Sequence, residues 1–188
     1  MTPTSLLAPT YLQMLGALSQ WLGKAEAQLP PGEAGALLSA RLAPDMFPLS
    51  TQIRFACAQA QEGMFRLAGK DFPPSVAALL EEGRNAVEHP GTIADAKARI
   101  DETLMVVRSV PQISGQDDPE RPIAHQLPMG IIFDFTAEQY ARDWAIGQFY
   151  FHVMTAYAIL RAHGVDLGKA DYVAHLFPYV RPGTMPQG

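Results

Sequence analysis

The sequence predicts an all-α protein: a four-helix bundle with a small β-hairpin in the crossover before the last helix. Three observations lead there. Four long segments repeat apolar residues at intervals of three and four, the connections between them are unequal in length, and one connection alone holds two short apolar runs around a Pro-Met-Gly turn. Burying four such stripes against one another, with one long connection, makes a helical bundle.

The first helix is expected over 9–29, where Tyr11, Leu15, Leu18, Leu22 and Ala25 share a face and Pro30-Pro31-Gly32 stops the pattern. A second runs over 47–69 on the stripe Leu49, Ile53, Ala56, Ala60, Met64 and Leu67, with Pro48 near its first turn, where a missing N–H does no harm. Pro73-Pro74 and a short helix over 75–82 follow. Thr92 then caps a third long helix, helped by Asp95 three residues on. Its apolar positions are Ile93, Ala96, Ile100, Leu104 and Val107, and Pro111 is its expected end. Ile123 to Leu127 and Ile131 to Phe135 read as strands on either side of Pro128-Met129-Gly130. The fourth helix starts at Thr136, whose capping box ends in Gln139, and continues to Ala162 before His163-Gly164 closes it. The whole chain, 1–188, reads as one domain, with an extended, partly mobile C-terminal tail from about residue 173.

Composition excludes several classes of function. The 188 residues carry 14 Lys and Arg against 19 Asp and Glu, a net charge of −5, so no general nucleic-acid surface is expected. With 48% hydrophobic and 18% charged residues, the chain is globular rather than disordered. The apolar stretch 144–160 is broken by Gln148, His152 and Thr155 and falls short of the ~20 residues of a membrane span. Cys57, the single cysteine, excludes an internal disulfide, a zinc ribbon and a CxxC motif. With no basic stretch at the N-terminus to suggest an export signal, the expected compartment is the cytoplasm.

The fourth helix holds the chemistry worth weighing. Trp144, Gln148, His152, Thr155 and Ile159 advance by four, four, three and four and so share a face. Phe149, Phe151, Val153, Ala156 and Leu160 flank them, so the helix is expected to be buried over most of its circumference, with Phe151 in the deepest part. Gln148 and His152 then place polar atoms in the bundle, and buried polar groups need partners. Those partners are each other, a neighbouring helix, an ordered water or a metal ion. On the second helix, Asp45, Leu49, Gln52, Ala56 and Gln59 form a stripe beside the apolar one. Gln52 either meets His152 or lies on a solvated flank. Cys57, with no cation beside it in sequence, reads as a small buried hydrophobe. The other histidines, His89, His125, His163 and His175, are expected at the surface. No nucleophile elbow, P-loop, dinucleotide fingerprint or zinc-protease pattern occurs.

Two stretches resemble a known family. Arg41-Leu42-Ala43-Pro44-Asp45-Met46-Phe47-Pro48-Leu49, followed by Gln52, opens the second helix. Phe149-Tyr150-Phe151-His152-Val153-Met154-Thr155-Ala156-Tyr157-Ala158-Ile159-Leu160-Arg161, with Gly164-Val165 and Leu167-Gly168-Lys169, closes the fourth. Up to about Tyr172 the chain is similar to an uncharacterised bacterial domain-of-unknown-function family within the DinB-like superfamily. The resemblance implies a DinB-like four-helix bundle, commonly dimeric. It also implies a place for a metal: better-understood relatives hold nickel or zinc with one histidine from the second helix and an H-x-x-x-H pair from the last, and several are thiol transferases or thiol-dependent isomerases. In this sequence those positions are Gln52, Gln148 and His152, one imidazole and two amides, a poor set for zinc or nickel.

The expected function is therefore an uncharacterised DinB-like, ligand-binding bundle with a degenerate metal site and no cofactor. Its candidate residues are His152, Gln148, Gln52, Asp45 and Trp144. The alternative is a divergent metal- or thiol-dependent transferase, with a weak divalent metal at His152 helped by Asp45 or Asp143. A homodimer is expected, through apolar groups such as Tyr11, Met14 and Trp21 on the first helix, with a small molecule as the other partner and neither nucleic acid nor membrane.

Overall fold

The structure, a computed structural model, describes residues 2–30, 32–113 and 118–184. The opening helix α1 spans Pro3–Gln28, starting earlier than the apolar pattern indicates. Thr2 and Ser5 are the reason: the Ser5 N–H donates to Thr2 Oγ1 at 3.2 Å and the Thr2 N–H to Ser5 Oγ at 2.9 Å. This reciprocal cap serves two orphan donors of the first turn, and Pro3 at the helix start has none to serve. Pro9 is carried inside the helix on its exposed side, where water can reach the carbonyl its ring leaves unbonded.

A short helix α2, Glu33–Ala36, and a 3-10 turn, Leu37–Ser39, follow without having been anticipated, and they bury Ala34, Leu37 and Leu38. The next long helix, α3, spans Leu49–Leu67 with Pro48 as its N-cap, and α4 spans Pro74–Asn85. Helix α5, Ile93–Ile113, starts where Thr92 and Asp95 exchange bonds of 2.8 and 3.1 Å, and it continues past Pro111. Strands β1, Pro122–Gln126, and β2, Ile132–Thr136, pair antiparallel with Ile123 opposite Phe135 and His125 opposite Phe133. Thr136 and Gln139 form the expected capping box at α6, Ala137–Gln139. A π-helical turn, Tyr140–Ala145, then leads into α7, Ile146–Ala162.

The C-terminal segment corrects an expectation. It forms helix α8, Lys169–Tyr172, and a 3-10 helix, Ala174–Tyr179, rather than an extended tail. Lys24 pairs with Asp171 at 2.6 Å and Trp21 Nε1 donates to the Asp171 carbonyl at 3.4 Å, which ties α8 to α1. Residues 185–188, the end of the expected tail, lie outside the described residues, as does Pro31.

Helices α1, α3, α5 and α7 form the bundle; α4 lies against α3, and the hairpin leads into the α6–α7 segment. Tyr11, Met14 and Trp21 are 0–1% exposed and belong to the core, so α1 does not offer them as an association surface. Close approach of α1 to α3 depends on Gly63, where a Cβ would come within 2.5 Å of the buried Tyr11 hydroxyl.

Phe151 is the second correction. It is 60% exposed, whereas Phe149, two residues earlier, is fully buried. Phe149, Val153, Ala156 and Leu160 form the inward stripe of α7. A helix apolar on nearly every side gives no phase by itself, and the bundle selects this one. Phe149→Ala is expected to cost about 3–5 kcal/mol, and Phe151→Ala less than about 1 kcal/mol, in urea denaturation. Similar losses for both would show that α7 is rotated from this placement.

Candidate functional site

Gln52 lies in the first turn of α3 and is buried. Its Nε2 donates to the Phe47 carbonyl at 3.1 Å, in the loop that leads into the helix. With the amide nitrogen committed there, Oε1 is left to accept, and His152 Nδ1 of α7 lies 2.8 Å from it. A carbonyl oxygen cannot donate, so Nδ1 carries the proton and Nε2 the lone pair. Nε2 is not among the buried orphan atoms and has no partner among the described residues. The imidazole sits between ring edges, with the Phe55 and Phe151 centroids each 5.3 Å away, and Phe47 packs on Phe55 at 5.7 Å. Burial lowers its pKa to about 4, so the ring is neutral at physiological pH.

The other expected residues do not converge on this pair. Gln148, one turn before His152, is half-buried and makes no hydrogen bond among the described residues. Asp45 is exposed in the loop before α3, and Asp143 is exposed and held by Arg142 through bonds of 2.8 and 2.9 Å. Trp144 faces the hairpin, 4.5 Å from His125 and 5.5 Å from Phe133. The π turn explains this, because the Ile146 N–H reaches back five residues to the Ala141 carbonyl and shifts the phase upstream of α7.

A metal held as in three-histidine sites does not fit these side chains. One imidazole nitrogen is available, two amides stand where further imidazoles would be needed, and no group of three or more His, Cys, Asp or Glu side chains converges among the described residues. Cys57 adds nothing here, since burial pushes its thiol up to about 12.

His125 is a third correction. It is 6% exposed instead of lying on the surface, and its ring packs at a tilt against Trp144 at 4.5 Å and Tyr140 at 5.5 Å. Both its ring nitrogens are buried without a partner, and burial, with the Arg66 charge, lowers its pKa. Strand alternation was the available signal, since Ile123 and His125 lie on the same, buried face of β1.

A family model for a domain of unknown function (DUF1993) matches residues 4–173. The chain belongs to the DUF1993 family. A crystal structure of a DinB family member from Shewanella denitrificans is similar to this DUF1993 protein at 29% identity and a TM-score of 0.70, covering 97% of this chain and 95% of that one. No curated protein matches. The DinB-like fold is thus shown for this DUF1993 chain, and its site must be judged on its own donors.

The neutral His152 has a pH consequence. Its folded pKa, about 4, lies below the ordinary value of 6.5, so above pH 6.5 neither folded nor unfolded chain binds this proton. Between pH 6.5 and 4 the unfolded chain binds it and the folded chain does not, so stability falls as the pH is lowered. Wild type should lose up to about 3 kcal/mol more than His152→Gln across that window. Parallel pH–stability curves would contradict a buried neutral imidazole.

Proposed function

We propose that this DUF1993 protein is a non-metal, ligand-binding bundle in which Gln52, Gln148 and His152 occupy a degenerate metal slot. The 2.8 Å contact between His152 Nδ1 and Gln52 Oε1 carries the reading. It presents Nε2 as a fixed acceptor among the rings of Phe47, Phe55 and Phe151. That combination suits a small molecule with an apolar body and one N–H or O–H donor. Asp45, exposed ahead of α3, can contribute at the rim, whereas Trp144 belongs to the hairpin.

One observation favours the alternative of a divergent metal- or thiol-dependent transferase. A metal-ligating histidine is usually oriented by an acceptor on its other nitrogen, as Gln52 orients His152. Thermal melts of wild type and His152→Gln, with and without stoichiometric zinc or nickel, separate the two. The non-metal reading expects the same small response in both proteins. A site loaded at one hundred times its dissociation constant would instead add about 2.7 kcal/mol. Such a rise in wild type that is lost in His152→Gln would establish the metal site.

The assembly we propose is a homodimer and the compartment the cytoplasm. The second rests on the one free thiol and on no helix of the described residues being long and apolar enough to cross a membrane. The first is supported by exposed apolar residues beside His152: Phe47 at 48%, Phe151 at 60% and Met154 at 37%. Light scattering at micromolar concentration should give about twice the 20.5 kDa chain mass. A monomer mass would refute it.

A further inference from the structure

At the opposite end of α3 the chain builds a different environment. Arg66 follows Gln52 by fourteen residues, roughly 21 Å along a helix. There a cavity of about 350 Å³ opens between the end of α3 and strand β1, lined by Arg66, Lys70, Asp71, Phe72 and Arg121 among others. We propose that this cavity binds the phosphoryl group of a small phosphate monoester, held by Arg66, Lys70 and Arg121.

Three cations line one cavity of a chain with net charge −5, and none of them makes an ion pair among the described residues. Two of them are already positioned. Arg121 Nη2 donates to the carbonyls of Arg66 and Leu67 at 2.8 and 2.9 Å, which anchors the guanidinium to the last turn of α3. Its other terminal nitrogen, Nη1, passes over Gly69, where a Cβ would lie 3.9 Å away. Gly69 has φ +63°, the left-handed turn that carries the chain from α3 toward Lys70 and Phe72. Arg66 lies over the Phe72 ring at 4.9 Å and the Tyr140 ring at 5.9 Å. Its Nε is buried with no partner, a donor left open among the described residues.

The charge count selects among anions. Three positive side chains and one carboxylate, Asp71, line the cavity. The cations also face the partial negative charge at the helix end, roughly half a unit. Among the lining groups the excess is about one and a half positive charges; Glu62, outside the lining, acts on Arg66 but is itself pushed toward its neutral form by burial. A phosphate monoester carries about −1.5 to −2 near neutral pH. A carboxylate would leave part of that excess unbalanced. Guanidinium groups also match phosphoryl oxygens through paired N–H donors. The volume, near the low end of ligand cavities, restricts the organic group to a small one.

Calorimetry on the full chain at pH 7.5 and fixed ionic strength, with phenyl phosphate, inorganic phosphate and benzoate as probes, tests the proposal. Phenyl phosphate should bind best, inorganic phosphate less well, and benzoate at least about tenfold more weakly than the ester. Lys70→Gln, at an exposed position, should weaken the ester about tenfold, whereas Lys169→Gln on α8 should not. Arg121→Lys keeps one charge but loses the anchored fork, and should weaken phosphate more than benzoate. Equal affinity for benzoate and phenyl phosphate, unchanged binding in Lys70→Gln, or an equal loss in Lys169→Gln would each overturn it.

Discussion

Helix α3 is the element on which the rest of the structure depends, because it packs against α1, α4, α5 and α7 at once. Ser50, Thr51, Gln52, Arg54 and Gln61 are all buried along it, and a buried polar group without a partner costs roughly 1–3 kcal/mol. Each of them therefore dictates something about a neighbour. Thr51 donates to the Gly83 carbonyl of α4 at 2.7 Å, at a glycine where a Cβ would come within 2.5 Å of Phe55. Gln61 donates to Thr103 of α5 at 2.9 Å and accepts from Ser75 of α4 at 2.6 Å. Arg54 contacts Ser50 and Glu82, and Glu82 is shared with Arg99 of α5. The polar side chains of α3 set which helices lie beside it and at what height.

The Gln52–His152 contact is one more member of this set, and it differs in leaving a free valence. The bonds of Gln61 and Arg54 run between protein groups, whereas His152 retains an unpartnered Nε2 with its lone pair. Because the amide of Gln52 is oriented by the Phe47 carbonyl, the loop before α3 controls the tautomer of a histidine one hundred residues away. The two ends of the helix are thus built for opposite chemistry. One end offers a neutral acceptor among aromatic rings, the other an excess of positive charge.

Beside the cationic end lies the aromatic joint formed by the hairpin and the π turn. Phe133 and Phe135 of β2 stack on each other and pack at a tilt against Trp144, while His125 of β1 lies against Trp144 and Tyr140. A two-stranded hairpin is marginal by itself, so this joint is what stabilises it against the helices. The π turn, by shifting the phase before α7, gives Trp144 to the hairpin and leaves His152 to α3.

The four long helices, the capping boxes at Thr92 and Thr136, and the hairpin were legible from sequence because each follows from local spacing or local bonds. His152 was also legible, with Gln148, as a buried polar residue in need of a partner, and Gln52 as one of two readings for that partner. The early start of α1, the exposure of Phe151, the burial of His125 and the docking of α8 were not. Apart from the Thr2–Ser5 cap and the alternation along β1 that buries His125, which were local and overlooked, these depend on contacts between distant segments. Periodicity says that a helix has an apolar face, but α7 is apolar almost all round and only its neighbours choose which arc turns inward. The sequence by itself determined where the four long helices lie and that His152 needs a partner; tertiary structure decided which partner it found, because that depends on distance in space and not on spacing along the chain.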